Sequence, residues 1–491
     1  MTEIFHRKFY RTNLKLIKLN MMNFSLHRFI RVSLISASFL LVNIARADFE
    51  LGLKYYEQAN YEKAYQEFTQ AAKYGDFSAQ FNLGVMYYKG QFVKQDVLTG
   101  YAWLSLAAQD AEYKERGLHL QIYKGFSEEQ KKQADKAAQE MFDQFSSAAI
   151  TRSLTPAYTE VRALSSKIRP IKSVDPVYPR SMLNRDAMGW VDVLYTVEKD
   201  GTTRDHTVIS ATHKEFAESV VLALRQWQYE PAMAGGKAVP VFGMRLHYVF
   251  HLDEFKFEQD IVNATLREYR EKAYTGNANA QYQYAYYLTM LPSFIEGLSN
   301  EDASEKPHKW FLSAAQNGHQ QASFFLGKSL LNGDMCTPDA NKSLVWLQKA
   351  AANDFVDAQY ILARELLSGS HFKKDEEQAM YWLHRATAGN LKGGTAAKLQ
   401  LAWILATHPD KQKRNGTLAQ QLIQTVDVKY NDKQTYYRTA AAVAAENADF
   451  DAAVKWQEQA LADAQKLKLP EETLRTKLQA YIAKQALREE I

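Results

Sequence analysis

The chain has 491 residues, enough for two to four domains, and its 46% apolar and 12% aromatic content excludes wholesale disorder. Its formal charge of +4 is misleading: residues 1–47 hold eight basic residues and one acidic one, leaving 52 basic against 55 acidic beyond them. That balance removes the bulk-charge argument for a nucleic-acid partner, and a lone Cys336 excludes a disulfide within the chain.

Residues 1–47 read as a signal peptide. Arg28 and Arg31 precede an apolar stretch from Val32 to Ile44, and Ala45-Arg46-Ala47 forms a small-x-small site before Asp48. Its thirteen residues fall short of the ~20 that span a bilayer. The segment before Met22 is long for a signal, so Met21 and Met22 stand as alternative starts. The expectation is export with removal of the leader after Ala47.

Residues 48–150 read as helical pairs, and their register recurs in residues 260–491. Trp310, Trp346 and Trp382 are spaced by 36 residues, and Ala79, Ala322 and Ala358 lie 24 residues before Trp103, Trp346 and Trp382. Five residues after each alanine the side chain is small, as at Gly84, Gly327 and Ala363; eleven after it stands Gly90, Gly333 or Gly369. Ala280 keeps the fifth position small with Ala285, but Leu291, eleven residues after it, breaks that last rule. A fixed period of this length predicts stacked helix-turn-helix units. In each, a small residue lets the partner helix approach, glycine ends the first helix, and tryptophan fills the groove. Ser127 with Gln130 predicts a capping box opening a helix through Phe145, and Pro470-Glu471-Glu472 predicts a last helix running to the C-terminus.

Between the arrays, residues 151–164 read as a linker and residues 165–253 as a small α+β unit. Val191, Val193, Tyr195 and Val197 alternate on one strand, Asp200-Gly201 predicts a hairpin, and a second strand follows near Arg204–Ser210. Phe216, Val220, Leu224 and Trp227 share one side of a helix. Pro231 and Gly235-Gly236 then turn the chain into a closing strand with Met244, Leu246, Tyr248, Phe250 and Leu252 on one face.

The stretch "AQFNLGVMYYKGQFVKQDVLTGYAWLSLAA" and its counterparts over residues 48–110 and about 265–426 resemble the Sel-one-like subclass of tetratricopeptide repeats. "EQANYEKAYQEFTQAA" and "ENADFDAAVKWQEQAL" are similar to plain tetratricopeptide units, and the stretch after Gly394 is a degenerate unit without the tryptophan. The middle unit resembles the C-terminal domain of the TonB energy-transducer family. The matching positions are Tyr178-Pro179, Gly189, Asp200-Gly201, Trp227-x-Tyr229-x-Pro231 and Gly236 before Val239-Pro240. The fold class implied is mainly α, with two α-solenoid arrays flanking a small α+β domain.

The resemblance implies binding of an extended segment of an outer-membrane transporter, added as a strand to the closing strand over Met244, Arg245, Leu246, His247, Tyr248 and Val249. Envelope proteins are the implied partners, and the periplasm the implied compartment. The chain departs from the family in its cleavable leader and its lack of a proline-rich spacer. A retained leader would instead imply an inner-membrane anchor and a proton-driven motor complex as partner. The sequence shows no phosphate loop, paired-histidine metal motif or nucleophile elbow, so no catalytic residue, metal or cofactor is expected. His247, His251 and Arg245 read as a solvent-facing strand surface, Cys336 as a plain loop thiol, and Trp227 and Tyr229 as folding residues.

Overall fold

The computed structural model describes residues 46–158, 170–185, 187–234, 236–252, 259–290, 302, 305–333, 336–388, 394–426 and 433–489. The leader up to Ile44 and Ala45, residues 159–164 of the linker, Gly235 and Leu291 lie outside them.

The first array comprises α1 (Arg46–Glu57), α2 (Tyr61–Lys73), α3 (Phe77–Lys89) and α4 (Val97–Ala107). Asn60, Asp76 and Asp96 each accept a hydrogen bond from the first turn of the helix that follows, a device worth about 1 kcal/mol per helix. A Cβ on Gly84 would lie 2.6 Å from Leu104 Cγ, so α3 and α4 approach more closely than a side chain there allows. Two short helices, α5 (Ala111–Arg116) and α6 (Leu118–Lys124), lead to α7 (Glu128–Phe145). The Ser127–Gln130 capping box opens α7, and Phe145 at its end stacks on Trp103 at 5.4 Å.

A helix absent from the sequence reading follows, α8 (Ser147–Leu154), which takes in the first four residues read as linker. Ile150 and Leu154 on α8 are buried in the core of the second array, not the first.

The middle unit contains β1 (Pro170–Lys172), α9 (Arg180–Leu183), β2 (Gly189–Val197), β3 (Thr203–Ala211), α10 (Lys214–Leu224), β4 (Gln228–Tyr229), β5 (Ala232–Ala234), β6 (Lys237–Val239) and β7 (Val241–Phe250). The main sheet has three antiparallel strands in the order β3-β2-β7, and β1–β4 and β5–β6 form two-stranded ribbons. Val191, Val193, Tyr195 and Val197 pack with Phe216, Val220 and Leu224 of α10, as the alternation and the helix stripe require.

The second array runs through α11 (Gln259–Tyr274), α12 (Ala278–Met290), α13 (Pro307–Gln316), α14 (Gln320–Asn332), α15 (Ala340–Ala352), α16 (Val356–Ser368), α17 (Glu376–Thr387), α18 (Thr395–Thr407), α19 (Gly416–Gln424), α20 (Lys433–Glu446), α21 (Phe450–Leu467) and α22 (Glu472–Ile482). The Asp cap of the second helix repeats, with Asp339 opening α15 and Asp375 opening α17. A Cβ on Gly327 would lie 2.7 Å from Leu347 Cγ, the same close approach as at Gly84. Trp103, Trp310, Trp346 and Trp382 are all buried. The last helix corrects the sequence expectation: α22 ends at Ile482, and the tail folds back. There Glu489 N–H donates to Thr407 O at 3.0 Å and Arg488 pairs with Glu446 at 2.8 Å. Carbonyl and carboxylate acceptors on α18 and α20 hold the tail where a longer helix would leave them.

The arrays meet each other directly. Trp346 Nε1–H donates to Leu154 O at 3.1 Å, and Lys63 Nζ pairs with Glu377 at 2.6 Å beside a Tyr55 hydroxyl donating to the same carboxylate.

Candidate binding edge of the sheet

β7 lies at the edge of the three-stranded sheet, and the backbone direction of each of its residues follows from the register. Trp190 N–H donates to Thr212 Oγ1 at 3.1 Å, and Thr212 N–H donates to Trp190 O at 3.1 Å, so the backbone of Trp190 faces β3. Alternate residues of a strand face opposite neighbours, so Val191, Val193 and Tyr195 turn their backbone groups to β7. Their partners there are Tyr248, Leu246 and Met244. Arg245, His247 and Val249 therefore direct their N–H and C=O groups away from the sheet. Among the described residues, no backbone hydrogen bond reaches those outward groups.

The side chains divide by face. Met244, Leu246 and Tyr248 are half-buried against the core under α10. Arg245 and His247 point the other way, where the sequence expects solvent. The structure corrects that expectation in part: Arg245 stays exposed at the edge, while the second array reaches this face, half-burying His247 and burying Asp192. Asp192, 1% exposed, accepts from Arg245 Nη2 at 2.8 Å, from His247 Nδ1 at 3.2 Å and from the Tyr286 hydroxyl of α12 at 2.5 Å. Burial pushes the Asp192 carboxyl up, but the His247 hydrogen bond and the Arg245 charge outweigh it and hold it below the ordinary carboxylate range. The Arg245 guanidinium also lies 5.6 Å from the Phe325 ring of α14. His251 is exposed beyond the end of the strand.

Further along the same face, Leu194 and Phe242 enter the hydrophobic core of the second array. A second charged cluster closes the far end. Glu198 pairs with Arg204 on its own hairpin and lies 3.7 Å from Arg364 of α16; burial opposes its charge, yet the two arginines hold it at about 2. Asp205 accepts from the Tyr360 hydroxyl at 2.5 Å, and Arg225 pairs with Asp463 of α21. The first helices of three successive repeat pairs, α12, α14 and α16, thus carry most of the groups that hold the sheet, and α21 adds Asp463. None of this interface was read from the sequence. Its available signals were Trp190 and Leu194, two large side chains on the face they share with Asp192 and Thr196.

The Tyr178 hydroxyl donates to Ala187 O at 2.7 Å, and its ring packs edge-on to Phe216 and Phe250. Pro179 precedes α9, and Pro231 leads into β5. A Cβ on Gly189 would collide with Thr212. Trp227 Nε1–H donates to Val174 O at 2.9 Å, its ring half-buried beside Tyr229. Cys336, read as a plain loop thiol, is buried, with its backbone bridged to Tyr158.

Residues 174–252 match the family model of the Gram-negative bacterial TonB protein C-terminal domain. The Sel1 repeat model matches residues 43–63, 77–111, 308–319, 320–355 and 356–391. The chain thus combines a TonB C-terminal domain with Sel1 repeats. It is 39% identical over 75 residues to Protein TonB of Pseudomonas aeruginosa, which is 15% of this chain and 22% of that relative's length. Among solved structures, the Pseudomonas aeruginosa TonB C-terminal domain is 30% identical, covering 19% of this chain and 95% of that one, with a TM-score of 0.18. A Sel1 repeat protein from Oxalobacter formigenes is 27% identical, covering 26% and 93%, with a TM-score of 0.23. A protective antigen of uropathogenic Escherichia coli strains with an SLR fold is 20% identical, covering 90% and 77%, with a TM-score of 0.26. Both matched families are protein-interaction modules, and TonB proteins are envelope-associated. Among the described residues, no helix is long and apolar enough to cross a membrane.

Proposed function

We propose that this is a non-catalytic periplasmic scaffold whose TonB-like domain binds an extended segment of an envelope protein, of the outer-membrane transporter class, by adding it as a strand to β7. The observation that carries the reading is the edge position of β7, with Arg245, His247 and Val249 directing backbone groups outward. Main-chain pairing supplies affinity in this mode, and alternate side chains supply selectivity. The second array serves as the mount of this domain, since its first helices already hold the sheet; the first array is left to engage other proteins.

The test is a titration of the exported chain with extended peptides from outer-membrane transporters. The whole chain is used because the sheet rests on the second array. Val249→Pro removes one outward donor and should weaken binding about tenfold or more, while Arg245→Ala should weaken it less. Folded Val249→Pro protein that binds like the parent would sink strand addition. The mass of the protein recovered from cell envelopes separates this scaffold from an anchored energy transducer, which keeps its leader.

A further inference from the structure

The outer edge of β7 is open over one part and sealed over another, and the boundary is a bulge. Between Tyr195 and Val197 the pairing slips, so Val241 faces β2 and Phe242 turns its backbone outward. The outward carbonyl of Phe242 accepts from Lys328 Nζ of α14 at 2.8 Å, and Lys328 itself is buried. Gly243 has a left-handed backbone, φ +63°, and a Cβ there would lie 2.9 Å from Lys328 and 3.2 Å from Ile361 Cδ1. The strand is pressed onto the array at this point. Two residues later Arg245 is exposed.

Resting on the strand-addition reading above, we infer that Lys328 is a stop that fixes where the added segment ends and how much of it pairs. Pairing can use the outward groups of Arg245, His247 and Val249. It cannot continue past Gly243, because the next outward acceptor is already filled and covered. A segment of about five residues, about 17 Å long when extended, spans the open part. Its two faces meet different surfaces. Side chains on one face lie beside Met244, Leu246 and Tyr248, and those on the other beside Arg245 and His247. The partner that fits is a short segment alternating apolar with hydrogen-bonding residues, its last paired residue opposite Arg245.

The experiment is a length series: labelled peptides of four to nine residues, nested within one transporter segment that binds the full chain, measured by anisotropy against parent, Lys328→Arg and Lys328→Met. With the parent, affinity should climb to about five residues and then change less than about twofold. Lys328→Arg keeps the donor and should keep that plateau. Lys328→Met removes the donor and frees the Phe242 carbonyl to accept from the added segment, so the plateau should move out by about two residues with a gain of about fivefold. Parent affinity that keeps climbing to nine residues overturns the stop, as does a Lys328→Met plateau identical to the parent's. The parent series decides the matter alone if Lys328→Met fails to fold. Binding insensitive to Val249→Pro overturns strand addition itself, whereas proline-sensitive binding without a plateau overturns only the stop.

Discussion

Two residues show how the repeats and the junction between the arrays depend on single side chains. Trp346 is 1% exposed, fills the groove between helix pairs and donates its indole N–H to Leu154 O. Trp346→Ala leaves a cavity and an unfilled acceptor together, and should cost about 3–5 kcal/mol in a denaturant melt. Because Leu154 belongs to α8, the damage should also loosen the tie to the first array. Glu67 reports on the same junction from the other side. Burial, followed by the charges of Asp375 and Glu377, pushes its carboxyl from 4.5 to about 7 against a hydrogen bond from Gln378. A raised folded-state pKa means that folding favours the protonated form. The contribution is therefore whole below about pH 4.5 and is lost as pH rises through about 7. Hydrogen-exchange protection of α1 and α2 should fall between pH 5 and pH 8, and Glu67→Gln should flatten that change. Lys63, Tyr55 and Glu377 face the same spot, and an unchanged slope in Glu67→Gln would overturn the assignment to Glu67.

At the scale of elements, what was legible is what local chemistry dictates. The capping box of α7, the Asp200-Gly201 hairpin and the odd-numbered core face of β2 each rest on a few neighbouring residues. The misses share a cause as well. "SAAITRSL" is too short to announce α8, which is held by contacts with a distant array. The polar face of the sheet reads as solvent-facing because Asp192, Arg245 and His247 are charged or titratable, and only the fold shows that they pair with one another and with Tyr286. Strand parity, by contrast, needed one observed hydrogen bond to fix every residue of β7. It yields a sharp contrast between neighbours. Val249→Pro deletes an outward N–H and should leave the fold intact, as proline is tolerated on an edge. Tyr248→Pro deletes a ladder bond to Val191 and should destabilise the domain by about 3 kcal/mol or more. Thermal melts of the two variants check the assignment; equal losses would mean the parity is reversed.

For the whole molecule, the arrays and the middle domain are built as a continuous packed unit, although the sequence presents them as separate modules. Leu194 and Phe242 come from the sheet but lie in the core of the second array, with the charged clusters around Asp192 and Glu198 closing the interface at either end. Phe242 is 3% exposed, and the Arg364 guanidinium stacks 4.4 Å from its ring. Phe242→Ala should cost about 3–5 kcal/mol by cavity formation. The informative readout is where the loss appears. In a repeat array, stability propagates between neighbours, so a defect in the core beneath α14, α16 and α18 should lower protection in those helices as well as in β7. Hydrogen exchange followed by mass spectrometry resolves the two regions. If protection falls in the sheet alone while α14 to α18 exchange as in the parent, the domain is a separately folding guest. Loss in both regions would make the second array part of the domain's own core, and would explain why the edge of β7 has to be tested in the intact chain.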